Sequence, residues 1–302
     1  MNKIIIYIII LLIIYVLIRY YIIYKQIYHY ENNDELYKFI EFTGDTPIKN
    51  NKNPLIEMKK YNVIFAGTIK NIEKYIQQNL DNINNCGDKF NSYILIIYEN
   101  DSTDKTREIL VQNKKSNYIY IFEDNITEPR RTMRIANGRN KILEKIRELN
   151  NKNYYDYLIM LDMDDINYSG TFIESIKTCF EYDNWDILTG NQSNTYYDLW
   201  ALRKKDDMEY DCWRMVNKNA SNPDAHNIYV QSKYKNYEPN SLLEVDSAFG
   251  GIAIYKLSSI PNNCNYIGEY EDGSEYCEHV EFHRCIKNSG KNIYINTRFL
   301  TN

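Results

Sequence analysis

Three aspartates lie within four residues in the segment Asp162-Met163-Asp164-Asp165, directly after the apolar run Tyr157–Leu161. Carboxylates two residues apart at a strand end can converge on one divalent cation once the chain turns. Mg²⁺ and Mn²⁺ prefer oxygen ligands and keep positions free for phosphate oxygens and water. Such a cation stabilises charge on a departing diphosphate. A solvated turn is the alternative, since Asp is common in turns, but the preceding buried strand favours a metal site.

A second polar segment, Glu99-Asn100-Asp101-Ser102-Thr103, follows the apolar run Tyr93–Tyr98. An acidic side chain at a strand end can accept hydrogen bonds from ribose hydroxyls or from a base N–H. Ser102 or Thr103 can cap a following helix. Capping alone would not require Glu99 at the tip of the strand.

Four arginines, Arg130, Arg131, Arg134 and Arg139, lie on or just before a segment with helical periodicity. Guanidinium groups near the rim of a sheet suit a diphosphate. Charged residues on a helix are also commonly its solvated face. Both interpretations of these arginines remain open.

The elements that must position these groups alternate from residue 61 onward. Apolar runs predict strands at 61–67, 93–98, 118–122 and 157–161, and amphipathic spacing predicts helices near 72–83, 103–114 and 131–149. Strands that are apolar throughout indicate an α/β fold, a mostly parallel sheet with helices on both faces. Ligands bind outside the carboxyl ends of such strands, so we expect Glu99 and Asp162 on one rim.

The second half of the chain is less regular. Strands are expected at 185–189, 197–202, 249–255 and 292–295, a helix at 277–286, and a long polar loop or insertion at 204–240. Residues 197–200 (Tyr-Asp-Leu-Trp) are candidates for lining a pocket, although aromatic residues more often belong to the core.

The N-terminal residues are strongly apolar, without a charge from Ile4 to Ile18. A membrane span of roughly Ile4 to Tyr24 fits, with Arg19 reaching the interface. A signal peptide is the alternative, but the absence of an Ala-x-Ala-like cleavage site favours an uncleaved anchor. We therefore expect a single-pass membrane protein with an anchor at 1–25, a stem or linker at 26–58 and one α/β domain at 59–302; its orientation stays open.

The composition of the whole chain excludes few classes of protein. The chain has 302 residues, is 44% hydrophobic and has a formal net charge of −5, so one sizeable core is possible and no basic field favours nucleic acid. Its six cysteines form no Cys-x-x-Cys pair, so disulfides and reduced thiols both remain possible.

Taken together, the segments 99–106 and 162–164 with Arg139-Asn140 resemble GT-A glycosyltransferases. They are most similar to the cryptococcal mannosyltransferase-like family and its relatives in large DNA viruses, over residues 61–205. The resemblance implies a GT-A (Rossmann-like) catalytic domain that binds a nucleoside-diphosphate sugar with Mn²⁺ or Mg²⁺. It implies that Asp162 and Asp164 hold the cation and donor diphosphate. It also implies that Glu99 and Asp101 lie near the nucleoside and Arg139 near the donor.

Further roles follow from the same resemblance in the C-terminal half. GT-A enzymes often supply a late metal ligand, commonly His, which makes His279 a candidate. Glu278 or Asp246 could be the general base on an acceptor hydroxyl if the reaction inverts the anomeric centre. The expected activity is transfer of a hexose to a glycan, protein or lipid acceptor, at a host endomembrane or in a virion.

Two other functions fit parts of the sequence. Residues 157–165 also resemble the aspartyl-phosphate strand of haloacid dehalogenase-type phosphatases, but that strand usually comes first in the catalytic domain. A catalytically inactive, membrane-tethered sugar-binding protein on the same fold is the non-enzymatic alternative, because a fold does not guarantee turnover.

Overall fold

The computed structural model describes residues 3–31, 47–151, 154–193, 196–205, 211 and 240–301. Two compact units divide the chain, Met1–Glu41 with Lys205–Tyr237, and Phe42–Lys204 with Glu238–Asn302. The first unit contains helix α1 (Lys3–Glu31). Its segment Ile5–Lys25 is, by length and composition, sufficient to cross a membrane. The N-terminal apolar helix expected from the sequence is therefore present.

The second unit is built on an eight-stranded mixed sheet. Its strands are β1 (Asn62–Ile69), β2 (Ser92–Asn100), β3 (Tyr118–Glu123), β4 (Tyr157–Leu161), β5 (Ile187–Asn191), β6 (Leu242–Val245), β7 (Ile252–Lys256) and β8 (Ile293–Leu300). The strand order is β3-β2-β1-β4-β7-β5-β8-β6. All strands except β7 and β6 run in one direction. The sheet is therefore mostly parallel, as predicted.

Helices cover both faces of this sheet. They are α2 (Pro54–Met58), α3 (Glu73–Gly87), α4 (Thr106–Gln112), α5 (Arg131–Leu149), α6 (Phe172–Ser175) and α7 (Glu278–Asn288), with short 3₁₀ turns at Asp165–Asn167, Ile176–Glu181 and Leu257–Ser259. Val63 and Phe65 of β1 share a buried cluster with Ile76 of α3. Gly138 of α5 instead lies against Tyr98 of β2 on the other face. Side chains alternate along a strand, and this alternation gives both helices an apolar surface to cover.

Three local features differ from the sequence analysis. The segment 197–202, predicted as a strand, is a turn, and Leu199 N donates to Tyr197 O (2.9 Å). Strand β6 was not predicted. In the segment expected to be a stem, Lys49 forms an ion pair with Glu181 (2.9 Å), so residues near α2 contact the α/β unit. Most of the loop predicted at 204–240 lies outside the described residues.

Candidate active site

The two acidic segments predicted to share a rim lie at the same edge of the sheet. Strand β1 pairs in parallel with β2 on one side and with β4 on the other. The register joins Ile69 to Glu99 and Ala66 to Met160. The carboxyl ends of β2 and β4 therefore open onto one surface, with the end of β1 between them.

Residues 162–168, here called the acidic loop, leave the end of β4. Met163 is buried, whereas the side chain of Asp162 is 32% exposed and Asp164 is exposed. Asp162 N donates to Gly251 O (2.9 Å), and Asp164 Oδ1 accepts from Ile166 N (3.3 Å) at the start of a 3₁₀ turn. The intervening buried methionine leaves the two flanking carboxylates toward solvent.

Arg139 joins the acidic loop to helix α7. Its guanidinium is buried, and Nη2 donates to Asp162 Oδ1 (3.0 Å). Its Nη1 donates to Glu278 Oε1 and contacts His279 Nε2. The guanidinium carbon lies 5.0 Å from the ring centre of Phe249. Four predicted site residues, from α5, the acidic loop and α7, thus form one contact network.

Burial and the neighbouring carboxylates disfavour the ionised forms of Asp162 and Asp164. Burial raises the pKa of Asp162 to about 7; Arg139 opposes the rise, while Asp164 and Asp198 add to it. Partial desolvation by neighbouring protein groups also raises the pKa of Asp164, which is otherwise exposed, against the hydrogen bond from Ile166 N. Around Asp162 the carboxylates therefore outnumber the positive charges, and a bound cation would compensate this excess.

A further acidic residue, Asp198, belongs to the same electrostatic cluster. Burial raises its pKa to about 6, and its Oδ2 accepts from Gly250 N (3.0 Å). Gly250 and Gly251 have φ angles of +66° and +82°, which glycine adopts without strain. A Cβ on Gly251 would lie 3.3 Å from the Tyr197 hydroxyl. The turn at 197–198 thus packs beside the acidic loop, and the pairing with Gly250 could not be foreseen from sequence spacing.

His279 is held as a neutral side chain. It is buried and stacks on Phe249 with ring centres 3.8 Å apart. Burial and the charge of Arg139 keep the pKa of His279 well below its usual range. Its Nε2 faces Arg139, and its Nδ1 is buried without a hydrogen-bond partner among the residues that the structure describes. As a metal ligand through Nε2, His279 would have to leave Arg139, so that role remains a prediction.

Glu99 and Asp101 hold the rim loops together. Glu99 is fully buried, and its carboxylate accepts from Ser102 N (2.9 Å) and from Arg107 Nε. Asp101 accepts from Asn125 N (2.7 Å) and Ile126 N (3.0 Å), and the hydrogen bond from Ile126 keeps the pKa of Asp101 low. Both lie at the expected rim. Their contact with a nucleoside remains a prediction.

Asp246 occupies a different environment from the other predicted site residues. Its carboxylate lies 3.7 Å from Lys287 Nζ, and its backbone N donates to Arg203 O (2.8 Å). Within the ranges that the structure describes, no hydrogen bond or ion pair joins Asp246 to Asp162 or Arg139. The structure brings Glu278 into the network and leaves Asp246 outside it.

The residues at the rim fit a hard cation whose ligands come partly from the protein and partly from a bound substrate. Among the described residues, no three His, Cys, Asp or Glu side chains converge as a preformed metal cage. Asp162 and Asp164 offer accessible carboxylate oxygens. Mg²⁺ is usually bound by one or two carboxylates together with phosphates and water. The donor set therefore suits Mg²⁺ or Mn²⁺ bound jointly with a diphosphate.

Comparison with known proteins finds neither a matching family model nor a matching curated protein. Solved structures give partial likenesses. A mannosyltransferase from Pyrobaculum calidifontis, in complex with GDP-Man and Mn²⁺, is 13% identical over 79% of this chain and 55% of its own, with a TM-score of 0.43. Glucosyl-3-phosphoglycerate synthase from Mycobacterium tuberculosis, in complex with Mn²⁺, UDP and phosphoglyceric acid, is 12% identical over 84% and 75%, with a TM-score of 0.46.

A third solved structure, S. aureus TarS 1–349, is 14% identical over 80% of this chain and 59% of its own, with a TM-score of 0.41. The chain thus spans little more than half of two of these three proteins. The likenesses concern the fold alone. They do not establish a function.

Proposed function

We propose that this chain is a GT-A-type glycosyltransferase that moves a hexose from a nucleoside-diphosphate sugar to a glycan, protein or lipid acceptor, with Mn²⁺ or Mg²⁺ bound at the acidic loop. One observation carries the proposal. Asp162 keeps a third of its side chain exposed at the carboxyl end of a central strand, where burial, and to a smaller extent the neighbouring carboxylates, raise its pKa. Such a group gains most from a cation and is accessible to one.

Four residues have definite tasks under this proposal. Asp162 and Asp164 would hold the divalent cation, which supplies Lewis-acid stabilisation to the leaving diphosphate. Arg139 fixes the Asp162 carboxylate through Nη2 (3.0 Å) and, being enclosed by protein groups, acts on the donor through Asp162. Glu278 is the better placed of the two predicted bases, because Arg139 links it to Asp162.

The same proposal includes a membrane anchor and a family relationship. The helix α1 would anchor the enzyme in a membrane as a single-pass protein, since its segment Ile5–Lys25 is long and apolar enough. The relation to cryptococcal mannosyltransferase-like enzymes and their viral relatives rests on the sequence motifs. Glu99 and Asp101 would border the nucleoside from the neighbouring strand end.

The test is donor turnover by the full chain in detergent, screened against UDP-, GDP- and other activated sugars with Mn²⁺. Asp164→Asn should reduce turnover at least about 100-fold, because it removes a cation ligand whose effect is several kcal/mol in the transition state. Asp165→Asn is the matched control, since it removes the next exposed carboxylate of the same loop and should retain most activity. Full activity of Asp164→Asn, or of wild type in EDTA, would refute the metal role.

The same screen separates the two alternatives. Phosphate release from a generic aryl phosphate, without turnover of any nucleotide sugar, would identify a phosphatase. Binding of UDP or GDP with Mn²⁺ but without hydrolysis or transfer would identify an inactive sugar-binding protein.

A further inference from the structure

We propose that three buried asparagines, Asn79, Asn82 and Asn167, are positioning residues that hold the acidic loop in the shape needed for Asp162 and Asp164 to share one cation. The inference rests on the proposed function. It concerns residues that touch neither donor nor acceptor and act through the backbone of the loop.

Burial of these side chains needs an explanation. Asn79, Asn82 and Asn167 are at most 3% exposed. Asn79 and Asn82 lie on the apolar face of α3, which also carries Ile76, Leu80 and Ile83. A carboxamide in such a place costs free energy unless it is hydrogen-bonded. An aliphatic residue would fill the same face more favourably, so the amides are retained for what they bond.

Their amide groups donate to the acidic loop along its length. Asn79 Nδ2 donates to Met163 O (2.8 Å) and Asp164 O (3.2 Å). Asn82 Nδ2 donates to Asn167 O (3.2 Å) and Tyr168 O (3.0 Å). The middle and the end of the loop are therefore attached to a helix that packs on the sheet.

Asn167 fixes the beginning of the loop. Its Nδ2 donates to Asp162 O (2.8 Å) and to Gly251 O (2.8 Å). Gly251 O also accepts from Asp162 N (2.9 Å). The backbone of Asp162 is thus held on both sides, and its side chain accepts a hydrogen bond from Arg139 Nη2 (3.0 Å).

Orientation of metal ligands by outer partners has a measurable signature. Loss of such a partner weakens metal affinity by about 10- to 100-fold while the fold persists. The asparagines contribute no atom to the predicted cation site. Their removal should therefore raise the Mn²⁺ requirement more than it changes the donor KM.

Full-length Asn79→Leu in detergent tests this directly. Its side chain is similar in size but cannot donate to Met163 O or Asp164 O. Calorimetric titration with Mn²⁺, in the presence of UDP or GDP, should give about 10- to 100-fold weaker binding than wild type. The Mn²⁺ concentration for half-maximal donor turnover should rise in parallel. Asn85→Leu, on an exposed position of the same helix, is the matched control and should bind Mn²⁺ as wild type does.

Asn79→Ser is the milder variant if Asn79→Leu does not fold, because serine leaves room for water and is too short to reach the loop. It should also weaken Mn²⁺ binding. Unchanged Mn²⁺ affinity in a folded Asn79 variant, with loss of only Tm or kcat, would assign these residues a purely structural role and overturn the proposal. A wild-type protein that transfers sugar without binding Mn²⁺ would overturn it too. A wild type that binds Mn²⁺ but turns over no donor would refute the proposed function alone.

Discussion

At the scale of single residues, Arg139 dominates the site. Its guanidinium is buried between Asp162 and Glu278, and it lies over Phe249 and Tyr266. A buried charge is tolerated only with close partners of opposite charge, and removing one partner is strongly destabilising. The two ion pairs therefore favour one fixed arrangement of the carboxylates of Asp162 and Glu278. The position of Asp162 depends on both ion pairs.

Turnover at a fixed, sub-saturating Mn²⁺ concentration should fall as the pH drops below about 7. Asp162 has its pKa raised to about 7, so it is protonated below that pH and ionised above it. The proton competes with the cation, and each pH unit lowers the ionised fraction about tenfold. A pH profile between about pH 5 and 9 checks the midpoint.

Asp198→Asn should move that midpoint to lower pH. The carboxylate of Asp198 is one of the neighbours that raise the pKa of Asp162, so its neutralisation makes ionisation of Asp162 easier. The same pH profile provides the measurement. A midpoint that stays in place or moves upward would show that Asp162 does not control the acidic limb.

Sequence patterns reveal only part of this residue network. Aspartates after an apolar run predict where Asp162 lies, because a strand end is a local property. Asn79 and Asn82 occur three residues apart on a predicted apolar helical face, which is a usable signal. Because asparagine is common throughout the chain, two asparagines at this spacing do not stand out from the rest of the sequence. Contacts such as that of Arg139 with Glu278 join residues 139 positions apart, so no local sequence pattern predicts them.

At the scale of elements, α5 positions Arg139 by approaching the sheet closely. Gly138 permits this approach: a Cβ there would lie 2.5 Å from Tyr98 Cδ1 and 3.0 Å from Thr68 Cγ2. Glycine inside a helix costs about 1 kcal/mol relative to alanine. The helix thus carries a locally unfavourable residue because the packing distance requires it.

Gly138→Ala should destabilise the protein by about 1–3 kcal/mol, the usual cost of overpacking, despite the better helix propensity of alanine. The matched control is Asn137→Ala, at the neighbouring exposed position, which should be neutral or slightly stabilising. Chemical denaturation of both variants measures the free energies of unfolding. Equal stability of the two variants would contradict the tight contact with Tyr98.

The elements of the first half follow from sequence because each is a long periodic run. Strands β1 to β4 and helix α5 lie at, or close to, their predicted positions. Strand β6 has only four residues and pairs with β8 about 50 positions later. It is therefore too short for an alternation of apolar and polar residues to be recognised in its sequence. The segment at 197–202 has strand-like aromatic content, but hydrogen bonds such as the one that Gly250 N donates to Asp198 Oδ2 stabilise a turn there.

At the scale of the whole molecule, the disulfide Cys264–Cys285 connects the loop before α7 to the helix itself, across a separation of 21 residues. Loop closure of this size stabilises a folded protein by about 3 kcal/mol. The other described cysteines, Cys86, Cys179 and Cys277, are free and buried. The bridge therefore restrains the helix that carries Glu278 and His279.

Replacement of both bridged cysteines by serine should lower the free energy of unfolding by about 3 kcal/mol under oxidising conditions. Thermal denaturation with and without a reducing agent measures it. The reducing agent should lower the Tm of wild type and leave that of the double variant unchanged. Identical melting of wild type and variant without reductant would mean that the bridge does not form.

The placement of Arg139 also has a consequence for biosynthesis. Its first acidic partner follows 23 residues later, but Glu278 follows only after 139 residues. A nascent chain can therefore pair β1 to β4 on the ribosome while this guanidinium still lacks half of its counter-charge. The guanidinium gains its second carboxylate only when α7 has been synthesised, so products truncated before residue 278 would retain the parallel strands β1 to β4 yet leave Arg139 with Asp162 as its acidic partner.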